Sequence, residues 1–122
     1  MTDTTTLDAT TLVQDYLAGW NETDPTRRRD LIARTWTDDA EYVDPLAAVD
    51  GHAGIDLVIA GAQEQFPGHR FVLADGPETH HDRVRFRWHL VGQDGPVAAG
   101  LDVGVVARDG RLRSVTGFLE QP

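Results

Sequence analysis

The chain divides by the period of its apolar positions. In the first half, Leu7, Leu12, Val13, Tyr16, Leu17 and Trp20 recur at helical steps and share one face of a helix. Asp8 or Thr10 is placed to cap it, and the polar residues 1–6 are expected to be disordered. Asn21-Glu22-Thr23-Asp24-Pro25 breaks this helix. Pro25 opens a second, with Leu31, Ile32, Thr35 and Trp36 on its buried side and Arg27-Arg28-Arg29 facing water. Thr37-Asp38-Asp39 predicts a polar turn, Ala40 to Asp44 a short strand stopped by Pro45, and a loop follows to Asp50-Gly51. A third helix is expected over about Gly54 to Phe66, ended by Pro67-Gly68.

The second half alternates instead. Phe71 to Ala74 reads as a strand and Gly76-Pro77 as a turn. Val84, Phe86, Trp88 and Leu90 alternate with Arg83, Arg85, Arg87 and His89, so one face is buried and the arginines are solvated. After a turn at Gln93-Asp94-Gly95-Pro96, Val97 to Ala107 forms a long strand that is apolar on both faces except at Asp102. Asp109-Gly110 marks a second hairpin, and Leu112 to Leu119 completes the sheet. Helices followed by consecutive strands predict an α+β domain: a cone-shaped, curved antiparallel sheet wrapped around an N-terminal helix layer, with an internal pocket.

Composition narrows the partners. The 122 residues suffice for one domain, 1–122, and a net charge of −9 argues against nucleic acid or an anionic membrane surface as partner. There is no cysteine, hence no thiolate chemistry and no cysteine zinc site. The N-terminus has neither a basic region nor a long apolar run, which makes a cytoplasmic protein the expectation. His52, His69, His80, His81 and His89 form no H-x-x-x-H or H-x-E pattern, so no metal site is expected.

Two acids stand out. Asp44 ends a mostly apolar strand in Trp36-Thr37-Asp38-Asp39-Ala40-Glu41-Tyr42-Val43-Asp44-Pro45, where it is either solvated or held in a pocket. Asp102 interrupts the most apolar strand of the chain. A carboxylate there is costly unless it is protonated or paired with an arginine or histidine. Tyr16 belongs to the apolar face of the first helix, and its hydroxyl needs a partner if buried. Trp20, Trp36, Tyr42, Phe66, Phe86, Trp88 and Phe118 are expected to line the inside. The parity of Tyr42, Phe86, Trp88 and Phe118 matches Asp44 or Asp102 and makes them the expected cavity walls. His52, after Asp50-Gly51, is a candidate at the cavity mouth.

The order of elements around this Asp-Pro strand resembles the nuclear transport factor 2-like superfamily, which includes ketosteroid isomerases and SnoaL-like polyketide cyclases. The resemblance covers about Leu7 to Leu119. It implies a general base at Asp44 and an oxyanion hole formed by Tyr16 and a protonated Asp102. The borrowed pattern is a neutral carboxylic acid that donates a hydrogen bond, for which ketosteroid isomerase is the standard example. The connection at Asn21 to Thr26 is longer than in the isomerases, and Ile59 stands where many of them carry a pocket tyrosine. The implied activity is proton abstraction α to a carbonyl of a small apolar ligand, as an isomerase or a cyclase, with no metal or organic cofactor. The alternative is a non-catalytic binding or dimerisation domain. Leu101, Val103 and Val105 alternate with Asp102 and predict a homodimer through the outer face of the sheet.

Overall fold

The computed structural model describes residues 4–122, and side chains from Ala9 onward. Part of the stretch expected to be disordered, residues 1–3, lies outside the described residues. Helix α1 spans Thr4–Asn21 and so already runs through Asp8 and Thr10, neither of which caps it. Its buried face carries Leu12, Val13, Tyr16, Leu17 and Trp20. Helix α2, Pro25–Thr35, starts where Asp24 accepts a hydrogen bond from the Arg27 amide at 2.9 Å. An N-cap carboxylate with proline in the first turn is a strong start signal. Helix α3, Gly51–Gln65, begins three residues earlier than expected and buries Ile55 and Ile59.

The sheet has six strands among the described residues: β1 Trp36–Val43, β2 Ala48–Asp50, β3 Arg70–His80, β4 Arg83–Gly92, β5 Gly95–Val106 and β6 Leu112–Glu120. Their spatial order is β2-β1-β6-β5-β4-β3. The sheet is mixed and unclosed: β1 pairs with β6 in parallel, and the other pairs are antiparallel. The parallel pair and the short β2 were not foreseen. The helices pack on the concave face, and their core includes Ile32, Trp36, Ile55, Ile59, Val84 and Val115. Full burial of a side chain of this kind contributes about 1.5–3 kcal/mol.

Two expected turns are strand instead. Trp36 through Val43 is continuous β1, and the polar Thr37-Asp38-Asp39 segment appears as an irregularity in register against β6, between Trp36 and Glu41. Likewise Gly76-Pro77 lies inside β3, between register shifts at Leu73/Asp75 and Asp75/Glu78. Gly76 has φ +98°, and a Cβ there would stand 3.1 Å from the Arg85 carbonyl oxygen. Turn-forming residues thus make bulges where the neighbouring strand keeps the ladder in place. The real reversal comes at His81-Asp82, with His81 at φ 52°.

The arginine run is not uniformly solvated. Arg27 and Arg29 are exposed, but Arg28 is buried and its Nε donates to Asp56 at 2.6 Å. Its Nη1 also donates to the Glu22 carbonyl and to Gln63 Oε1, both at 3.1 Å, which ties α2 to α3. On the outer face of the sheet, Leu101, Val103 and Val105 are half-buried between Arg87, Arg85 and Arg83 of β4 and Phe118, Thr116 and Ser114 of β6.

Candidate active site

Asp44 follows directly on β1 and is fixed by its own turn. Oδ1 accepts from the amides of Leu46 and Ala47, both at 2.8 Å. Pro45 has no amide hydrogen, so the two residues beyond it supply the donors. Oδ2 accepts from the Tyr42 hydroxyl at 2.6 Å. Tyr42 and Asp44 are two residues apart on an extended chain and point to the same side. Asp44 is half-buried, with Oδ2 held by a side chain alone.

Asp102 lies in the middle of the sheet, between Phe86 of β4 and Gly117 of β6. It is 3% exposed, and its partner is neither arginine nor histidine: the Tyr16 hydroxyl donates to Oδ2 at 2.7 Å. Burial pushes the Asp102 carboxyl up to about 6; hydrogen bonds from Tyr16 and Trp88 oppose this, and the nearby Asp44 charge adds to it. The Tyr16 and Tyr42 hydroxyls are both raised, first by burial and then by the Asp102 charge, so both stay protonated.

Two glycines make room for this arrangement. A Cβ at Gly117 would stand 2.9 Å from Asp102 Oδ1, 3.4 Å from Asp44 Cβ and 3.7 Å from the Tyr42 hydroxyl oxygen. The two acids therefore converge over the bare backbone of β6. At Gly100 a Cβ would come within 2.3 Å of the Trp88 ring, which occupies the space over that glycine.

A cavity of about 190 Å³ opens beside these groups, and Tyr16, Asp44 and Asp102 all line it. Of the expected apolar walls, Trp20, Tyr42, Phe66 and Trp88 also line it. The other three do not. Trp36 and Phe86 are 2% and 3% exposed and pack against Tyr16 from outside the cavity, with ring centroids 5.6 and 5.3 Å away. Phe118 is 53% exposed on the outer face, because Gly117 rather than Phe118 is in register with Asp102. His52 does not reach the mouth; its Nε2 lies 3.0 Å from the Trp36 carbonyl oxygen.

Sequence reasoning missed the walls Leu17, Phe71, Leu90, Ala98 and Leu119. The parity of Asp102 along its strand could have found Ala98 and Gly100. Phe71 needed tertiary information: Asn21 holds its backbone, donating to the Phe71 carbonyl at 2.8 Å and accepting from the amide at 2.7 Å. Among the described residues no cluster of three or more histidine, aspartate or glutamate side chains could hold a metal ion, and no helix is long and apolar enough to cross a membrane.

The profile of the SnoaL-like domain matches residues 13–115. The chain belongs to the SnoaL-like family. A solved SnoaL-like structure from Agrobacterium tumefaciens strain C58, whose isomerase designation is itself provisional, is 46% identical, with a TM-score of 0.86 over 90% of this chain and 95% of the other. A SnoaL-like protein of unknown function from Burkholderia thailandensis is 16% identical, with a TM-score of 0.74 over 98% of both chains. Another from Jannaschia sp. CCS1, provisionally designated a polyketide cyclase, is 21% identical, with a TM-score of 0.69 over 91% of this chain and 86% of the other. No curated protein matches the chain. The two more distant likenesses concern the fold alone, since one fold hosts many chemistries.

Proposed function

We propose that this SnoaL-like protein binds a small, largely apolar carbonyl compound and moves a proton α to the carbonyl, as an isomerase or a cyclase that needs no cofactor. The observation that carries this reading is the convergence of Asp44, Tyr16 and Asp102 on one apolar-walled cavity. Asp44 Oδ1 is anchored by two amides, which leaves Oδ2 as the oxygen that takes the proton, with Tyr42 orienting it. The negative charge then develops on the carbonyl oxygen. Neutral Asp102 donates to it, and Tyr16, whose single hydroxyl proton lies on Asp102 Oδ2 in the resting site, turns that proton to the ligand oxygen, in a site where few other charges compete. An apolar ligand expels water and raises the Asp102 carboxyl further, favouring its protonated form at neutral pH.

Return of the proton to another carbon of a conjugated system gives isomerisation. Attack of the enolate carbon on a second carbonyl gives an aldol-type cyclisation. The names given to the Agrobacterium and Jannaschia proteins agree with these two outcomes. A purely binding role is the rival, favoured by the engagement of both Asp44 oxygens in hydrogen bonds in the resting site.

A panel of β,γ-unsaturated ketones and enolisable diketones tests the reading. Turnover by the wild-type protein that falls by about two to four orders of magnitude in Asp44→Asn, with ligand affinity kept, is the expected result. Binding without turnover across the panel would establish the rival.

A further inference from the structure

The cavity holding Asp44 and Asp102 meets a second one, of about 440 Å³, at four shared side chains: Trp20, Phe66, Phe71 and Leu90. The two ends differ in chemistry. The inner one carries two carboxyl groups, whereas the outer one adds Asn21, Thr23, Gln63, His69 and Arg70.

Most of those outer polar groups are already engaged. Asn21 uses both ends of its amide on the Phe71 backbone. Gln63 Nε2 donates to the carbonyls of Trp20 and Glu22 at 2.9 and 2.8 Å, and its Oε1 accepts from Arg28. His69 turns Nδ1 towards the Pro67 carbonyl at 3.1 Å. Arg70, at the start of β3, is exposed and takes part in none of the ion pairs among the described residues. The guanidinium of this outer space thus has its recognition chemistry unused.

We infer that the pocket takes an amphipathic carbonyl compound with an anionic tail: its ring sits in the inner cavity against Asp102 and Asp44, and its carboxylate lies on the Arg70 guanidinium. The inference rests on the reading of the inner cavity given above and names its substrate class. Size supports it. An apolar cavity of about 150 Å³ takes benzene, so about 190 Å³ holds one small ring system, and a longer ligand extends beyond it. The boundary the two cavities share is aromatic, with Trp20 and Phe71 edge to face at 5.2 Å.

Charge sets the orientation. A carboxylate at the inner end would face the charge of Asp44 at low dielectric, where like charges repel strongly. At the outer end a guanidinium offers two parallel donors that match a carboxylate. The chain as a whole, at −9, does not attract anions, so the preference is local to Arg70.

Isothermal titration calorimetry with 4-oxo-4-phenylbutanoate and its uncharged methyl ester tests this. The wild-type protein is expected to bind the acid about two- to fivefold more tightly than the ester, as an exposed ion pair allows. Arg70→Gln should erase that preference and leave ester binding unchanged, and salt at about 0.5 M should narrow it in the wild type. Equal binding of acid and ester by the wild type, or equal weakening of both by Arg70→Gln, overturns the anionic tail and leaves the inner-pocket reading standing. Failure of both compounds to bind at millimolar concentration overturns both.

Discussion

The Tyr16 hydroxyl donates to Asp102 Oδ2 at 2.7 Å, joining the first helix to the middle of the sheet across 86 positions of sequence. Each group satisfies the other in a place where neither would be tolerated alone. Tyr16 is 3% exposed, as is Asp102. A buried hydroxyl and a buried acid with no cationic partner remain compatible with folding because the acid can hold its proton.

Stability should therefore depend on pH through Asp102. Its folded value of about 6 lies above its ordinary 3.8, so the folded state binds the proton more tightly. The stabilisation from this group is complete below about 3.8 and is lost as pH rises through about 6. Between pH 5 and pH 8 the loss should be about 1–2 kcal/mol. Asp102→Asn deletes the titration and keeps the shape, so it should be neutral or stabilising at pH 8. Urea unfolding of both proteins at the two pH values measures this, and a clear destabilisation of the variant at pH 8 would show that the acid is needed ionised.

Tyr42→Phe keeps the buried ring but removes the donor to Asp44 Oδ2. A hydrogen bond to a charged acceptor contributes about 1.5–3 kcal/mol. Asp44 is half-buried, and water can replace part of this, so the expected destabilisation is about 1 kcal/mol. If Tyr42 also orients the base, kcat should fall more than KM changes. Steady-state kinetics on whichever ketone is turned over separates the two effects.

Gly117→Ala places a methyl group 2.9 Å from Asp102 Oδ1, against a strand held on both sides. Overpacking of this kind costs about 1–3 kcal/mol. The acid must shift, so the variant should lose ligand affinity as well as stability. Unchanged affinity in a ligand titration would mean that the Asp102 geometry is not what the cavity uses.

Arg28→Met tests the pin between α2 and α3. It strands Asp56, which is 20% exposed, and leaves Gln63 Oε1 without its donor, while the Glu22 carbonyl keeps Gln63 Nε2. Removing one member of a buried pair costs about 3–5 kcal/mol, and the partial exposure of Asp56 places the expected loss near the lower bound, about 3 kcal/mol. Thermal unfolding should show it with no change in the chemistry of the cavity.

The sequence by itself determined most of the element types and singled out the two acids that line the cavity. Helical spacing around Tyr16 and alternation around Asp102 are local properties, set by the geometry of one chain segment. The helix start at Pro25 and the hairpin at Asp109-Gly110 were readable for the same reason, since proline and hairpin chemistry act within a few residues. Tertiary structure decided the rest. Thr37-Asp39 and Gly76-Pro77 carry turn chemistry, yet neighbouring strands hold them in the sheet as irregularities of register. Phe118 shares an apolar character with the cavity walls, but register with β5 places Gly117 inward and Phe118 outward. A shift of one residue exchanges the two faces of a strand, and no local pattern specifies that shift between strands far apart in sequence. Arg28 reads like its neighbours Arg27 and Arg29, and only the arrival of Asp56 and Gln63 from α3 makes its burial affordable. That Tyr16 reaches Asp102 is likewise a fact of packing: a helix face and a strand face each announce themselves, but which residues meet across the core depends on how the layers dock.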